Sequence, residues 1–207
     1  MKTISEIIKN LRSTKGQYAV EVEMIGRNMP AQVEGFHLEP DGSLGPGGVE
    51  YVFDKPTSLD KAIQLVDGLY NSIKANNSKL HDQARAGIHT HINVQDWTIK
   101  RLFNFVCLYY IFEPIIMRWC GEMREGNHFC LRLSDAEYPV HLIKKSLETR
   151  KLSPLKTEDI RYASLNFLSL FKYGSLELRG MRTPDKANDV ITWLRLVDCM
   201  VDASARF

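Results

Sequence analysis

Residues 17–26 read QYAVEVEMIG, in which Tyr18, Val20, Val22 and Met24 alternate strictly with Ala19, Glu21 and Glu23. Successive side chains of a strand point to opposite faces. The pattern therefore predicts a strand with an apolar face for a core and an opposite face carrying two carboxylates. GIHTHIN (87–93) obeys the same rule and puts His89, His91 and Asn93 on one face, in a chain with only six histidines. That row serves equally as a solvated sheet face, a metal site or a nucleotide cradle. VEYVF (49–53) predicts a short strand bearing Glu50, and SLELRG (175–180) a strand with Glu177 and Arg179 on one face.

The remaining patterns are helical or turn-like. Ile4 to Leu11 has helical spacing. AQVEGFHLEP predicts a second strand closed by Pro40, followed by the turn-rich DGSLGPGG (41–48). Ser58 caps a helix running to about Lys74. A long helix starts at Asp96 or the residue after it and ends near Cys120, and another covers Val140 to Thr149. Phe129 to Tyr138 gives no clear pattern, and RYASLNFLSLF reads as a strand or a buried turn region. The closing helix repeats Val190, Leu194, Val197 and Val201 at helical spacing. Strands interspersed with helices, far apart in sequence, imply an α+β fold with helices against one face of a sheet. At 207 residues the chain suits a single domain, 1–207, with a sizeable core.

Charge and cysteine usage narrow the function. Lys plus Arg is 27 and Asp plus Glu 25, for a net charge of +2, so nothing favours nucleic acid or a membrane surface. The most apolar run, Leu102 to Met117, contains Asn104, Glu113 and Pro114 and falls short of the ~20 apolar residues of a span. Cys107, Cys120, Cys130 and Cys199 form no C-x-x-C pair, which argues against a zinc ribbon and for free, buried thiols. These features place the expected location in the cytoplasm. Trp97, Trp119 and Trp193 read as core or helix-start anchors, and Glu113 as structural.

Each acidic motif alone has a bland reading as a solvated face or a cross-strand ion pair. Gathered by one sheet they become chemistry. Carboxylates crowded in a partly dry hollow raise one another's pKa, and a divalent cation removes that cost. A mixed carboxylate and imidazole set suits Mg2+ or Mn2+.

Their order along the chain resembles the glutamine synthetase-like carboxylate–amine ligases, and most closely the amidoligase family. The segments carrying the resemblance are VEVEM, DGSLGPGGVEYVF, GIHTHIN, YASLNFLSLFKYGSLELRGMRTPD and the helix beginning KANDVITWLRLV. The resemblance implies a curved, mainly antiparallel sheet, with helices on its convex face and nucleotide and metals in its hollow. It implies an enzyme in which ATP phosphorylates a substrate carboxylate and an amine displaces phosphate to give an amide or isopeptide bond. It implies that Glu21, His89 and Glu177 hold one metal and Glu23 and Glu50 a second, that His91 lies near the nucleotide phosphates, and that Arg179 neutralises the transferring phosphoryl group. Glu177 and Arg179 are then the catalytic pair. Arg124, Arg161 and Asn166 become weaker candidates for substrate contact, with Asn166 also a candidate brace. Asp41 reads as a local turn former with substrate contact open. No P-loop is present, and GPGG (45–48) reads as a tight turn rather than a phosphate loop.

The chain departs from glutamine synthetase in lacking an evident amino-terminal β-grasp domain and a recognisable ammonia pocket. The expected partners are therefore a small-molecule or peptide carboxylate and an amine such as an amino acid, polyamine or peptide; a homo-oligomer is compatible with this. A metal-dependent hydrolase and a non-catalytic descendant that keeps the fold are the alternatives.

Overall fold

A computed structural model describes residues 1–81 and 85–207. Its elements in chain order are α1 (Ile4–Ile7), β1 (Tyr18–Arg27), β2 (Phe36–Glu39), β3 (Gly48–Phe53), α2 (Leu59–Ala75), β4 (Lys79–Leu80), β5 (Gly87–Asn93), α3 (Ile99–Cys120), α4 (Glu137–Thr149), β6 (Leu165–Asn166), α5 (Leu168–Tyr173), β7 (Ser175–Arg182) and α6 (Ala187–Ser204). The strands form one seven-stranded sheet in the order β2-β3-β1-β5-β7-β6, with β4 paired to β1. Every strand pair is antiparallel, as the α+β reading requires.

The alternation in β1 and β5 decides which face is dry. Val20, Val22 and Met24 of β1, Ile88 and Ile92 of β5, and Leu176 and Leu178 of β7 are buried in one core with Leu69 of α2, Phe105 of α3 and Trp193 of α6. The α6 ring of Trp193 donates its Nε1–H to Thr90 Oγ1 at 3.0 Å, fixing that helix over the central strand. The other register of the same strands carries Glu21, Glu23, His89, His91 and Glu177. No helix among the described residues is long and apolar enough to cross a membrane.

Several boundaries differ from the sequence expectations, each for a tertiary reason. The first helix is one turn, set by a Thr3–Glu6 capping box, and does not reach Leu11. The chain beyond it is instead held by side chains at and just past the end of β5: Gln95 Nε2 donates to Arg12 O (2.9 Å) and Asn93 Nδ2 to Thr14 O and Gly16 O (3.0 Å each). The second strand contracts to four residues because Gly35, at φ 79°, turns the chain just before it. The long helix starts after Thr98, whose hydroxyl accepts from Arg101 N at 3.2 Å. Within RYASLNFLSLF only Leu165–Asn166 is strand, and Leu168–Tyr173 is a helix ended by Gly174 in the left-handed region. Residues 129–138 are mostly short 3-10 turns leading into α4.

Two side-chain expectations are corrected. Trp119 is 43% exposed and stacks on Trp193 instead of joining the core, although Trp97 and Trp193 are buried. All four cysteines are free, but only Cys120 and Cys130 are buried; Cys107 and Cys199 are exposed, facing outward from the helices that carry them.

Candidate functional site

Pairing register brings the acidic and imidazole groups together. Glu21 of β1 lies opposite His89 of β5, and Glu23 opposite Glu50 of β3. His91 lies opposite Glu177 of β7, which in turn pairs with Asn166 of β6. Directly opposed strand residues stand about 4.5–5.5 Å apart, so the side chains on this face meet. A bulge in β7 sets Arg179 and Gly180 against the single residue His89. Such bulges re-aim side chains, and this one leaves Arg179 beside Glu177.

Glu21 is the hub. Its Oε2 lies 3.1 Å from His89 Nδ1 and its Oε1 3.1 Å from His91 Nε2. His89 also approaches Glu23 at 3.5 Å through Nε2 and Glu177 at 3.8 Å through Nδ1. Arg179 donates Nη1–H to Glu177 Oε1. Among the described residues, two groups have the spacing of metal ligands, Glu21–Glu50–His89 and Glu21–His91–Glu177, with the atoms of each group within 4.8 Å of one another. The grouping thus puts Glu50 with Glu21 and His89 rather than with Glu23, and brings His91 in beside Glu177. Glu23 spends one oxygen on the backbone, accepting from Gly87 N at 2.8 Å.

The titration behaviour follows from this crowding. Burial alone would raise the Glu21 pKa, but hydrogen bonds from His89 and His91 outweigh it and hold the carboxyl low. Burial pulls both imidazoles down; carboxylates reverse this, Glu23 foremost at His89 and Glu21 at His91, so both are raised. Burial also works against Glu177, yet the His91 and Arg179 charges keep it ionised. Glu50 goes the other way: burial, then the Glu21 and Glu23 charges, outweigh the His89 charge and push it up to about 7. The cluster's carboxylate oxygens and imidazole nitrogens fit Mg2+ or Mn2+.

Hydrogen bonds from neighbouring residues fix the side chains of the cluster. Glu177 Oε2 accepts from Asn166 Nδ2 and Ser169 Oγ, both at 2.7 Å. Asn166 is thereby a brace for Glu177. Ser175 Oγ lies 3.1 Å from His91 Nδ1. Arg179 Nε donates to Phe129 O at 3.3 Å and its backbone N to Ser164 O at 2.7 Å. Arg124 is buried, and its guanidinium donates to Gly180 O, Ala86 O and Arg179 O. It clamps the β7 bulge as well as facing a cavity. Arg161 is exposed; it stacks 4.5 Å over the Tyr162 ring and lines neither cavity described next.

The cluster divides two cavities. The smaller, about 180 Å3, is reached by Glu23, His89, Arg124 and Arg179, with Asp41, Ser43, Arg85, Phe129 and Tyr162. The larger, about 540 Å3, is reached by Glu21, His91 and Asn93, with Arg12, Lys15, Lys55, Lys172 and Tyr173 among its other walls. These four cations and Tyr173 were invisible to motif reasoning. Arg12 and Lys15 lie on a loop without periodicity, and Lys172 and Tyr173 on a helix read as strand or turn. Gly16, at φ 109° against the Pro56 backbone, turns the chain between Lys15 and β1.

A family model described as "Putative amidoligase enzyme" matches residues 48–201. The matched segment holds Glu50, His89, His91, Glu177 and Arg179 and stops short of β1, which supplies Glu21 and Glu23. No curated protein matches the chain.

Proposed function

The chain belongs to this amidoligase family, and from that premise we propose that it is an ATP-dependent carboxylate–amine ligase working through an acyl phosphate. The observation that carries the reading is Glu21, shared by two metal-spaced groups beside an arginine already paired to one of their carboxylates.

In this reading a substrate carboxylate oxygen attacks the γ-phosphorus of ATP, the bond to the β–γ bridging oxygen breaks, and ADP leaves. The amine, as its neutral free base, attacks the acyl carbon, phosphate departs with the C–O bonding pair, and the nitrogen gives up one proton to the departing phosphate to leave the neutral amide. Glu21, Glu50 and His89 on one side, and Glu21, His91 and Glu177 on the other, would hold Mg2+ or Mn2+. Bound there, the ions supply charge neutralisation to the triphosphate. The chain's own work is positional and electrostatic. Arg179 is held by Glu177 and Phe129 O, so its guanidinium enters the reaction already oriented toward developing phosphoryl charge. Asn166 and Ser169 keep Glu177 from turning away. The larger cavity, with Arg12, Lys15, Lys55 and Lys172 on its walls, suits a triphosphate, and the smaller suits the reacting substrates.

Release of ADP in the presence of Mg2+ should require both a carboxylate and an amine. Arg179→Met should lower kcat roughly 10²–10³-fold, the scale of losing one transition-state donor, while nucleotide still binds. Glu177→Gln should lose activity together with metal affinity. Full ADP release by Glu177→Gln would contradict the reading. Sharing of one carboxylate between two candidate metal positions is also what a two-metal hydrolase uses, and amide cleavage without nucleotide would favour that alternative.

A further inference from the structure

The outer end of the smaller cavity carries charges that phosphoryl transfer does not use. Asp41 Oδ1 accepts from Ser43 N at 2.8 Å and Oδ2 from Ser43 Oγ at 2.6 Å, while Arg85 Nη1 donates to Ser43 O at 3.3 Å. One serine therefore holds an anion and a cation at the wall of one cavity. A turn alone accounts for Asp41 and Ser43; it does not account for Arg85 being tied to the same residue. The support beneath them is apolar: Leu44, Ile25 and Ala86 form a small separate buried cluster. Phe129 and Tyr162, edge to face at 6.0 Å, supply an aromatic wall.

Size and charge restrict the occupant. A cavity of about 180 Å3 has room for a small polar molecule. Three guanidiniums, Arg85, Arg124 and Arg179, line it against the two carboxylates of Glu23 and Asp41, a balance that disfavours a polyamine with further positive charges. A molecule with one ammonium and one carboxylate answers both features.

We propose that the amine partner is a small free α-amino acid held in this cavity, its ammonium on Asp41 and its carboxylate on Arg85. Its role as amine partner rests on the ligation reading; its binding does not. The test is calorimetric titration of the full chain with L-alanine, ethylamine and propionate, in Mg2+ with and without a non-hydrolysable ATP analogue that is titrated separately. L-alanine should bind at least tenfold more tightly than either singly charged compound. Asp41→Asn and Arg85→Gln should each weaken it about tenfold or more, the scale of one hydrogen bond to a charged group, with nucleotide affinity kept. Ethylamine or propionate binding as well as L-alanine would overturn the proposal, as would variants that match the parent chain, or no binding of L-alanine at all. Nucleotide binding without L-alanine binding would sink this inference and leave the ligation reading standing. L-alanine binding with the stated charge dependence, in a chain that ignores nucleotide, would support the cavity assignment and contradict the ligation reading.

Discussion

Glu21 lies 3.1 Å from a nitrogen of each of two imidazoles, where protons and a bound cation would compete for the same groups. His89 and His91 are raised by the surrounding carboxylates, against burial. A histidine with a raised folded pKa adds stability that is complete below its unfolded value near 6.5 and is lost as pH climbs through the folded value. Glu50, pushed up to about 7, acts in the same sense: between its unfolded value and 7 the folded chain binds the extra proton, so stability falls as pH rises. Glu21 and Glu177, both lowered, stabilise above their unfolded values and lose this only in acid. The melting temperature of the metal-free protein should therefore decline from pH 6 to pH 8, and the increment given by Mg2+ should grow over the same interval. Differential scanning calorimetry across that range checks it; an Mg2+ increment larger at pH 6 than at pH 8 would contradict it. The pattern of period two was enough to put Glu21, Glu23, His89 and His91 on one face. What it could not convey was register, which places Glu21 opposite His89 and His91 opposite Glu177.

Among the elements, the β7 bulge and the wall beside it decide where Arg179 points, and Glu113 of α3 holds that wall. This buried carboxylate accepts from Leu133 N (2.9 Å), Ser134 N (3.2 Å) and the Ser164 hydroxyl. Ser164 O in turn receives the Arg179 amide, and Phe129 O the Arg179 side chain. Glu113→Ala would strand two buried donors, Leu133 N–H and the Ser164 hydroxyl, and leave the N–H of the exposed Ser134 to water, at a cost of roughly 2–4 kcal/mol. Melting should fall by roughly 5–15 °C at ~2–4 °C per kcal/mol, and ligation should weaken with it through Arg179. Glu113→Gln, which keeps an acceptor, should lose less of both. Equal melting temperatures for Glu113→Ala and the parent chain would refute the strap. The sequence permits α2, α3 and α6 to be read because their periodicity is local, reinforced at α2 by the Ser58 cap. Residues 129–138 and α5 were not legible: their 3-10 turns and short helix take their shape from Glu113, Asn166 and the parallel bridge of Leu131 to Ala163, contacts with no local signature.

For the molecule as a whole, the site is assembled from segments that depend on one another across the sheet. The family match begins at β3, yet Glu21 comes from β1, and Arg12 and Lys15 on the larger cavity precede it. The first helix itself is pinned to the far end of β5 through Ile4 N to Trp97 O (2.8 Å) and Ser5 N to Gln95 O (3.0 Å), so the loop bearing those cations is fixed by the same strand that carries the histidines. Cations, nucleotide and sheet should then bind as one unit. The most direct measurement is a crystal structure grown with Mn2+ and a non-hydrolysable ATP analogue, with manganese located by its anomalous signal. The account predicts manganese between Glu21, Glu50 and His89 and between Glu21, His91 and Glu177, with triphosphate reaching them from the larger cavity. Manganese absent from Glu21, or nucleotide bound away from both histidines, would contradict it.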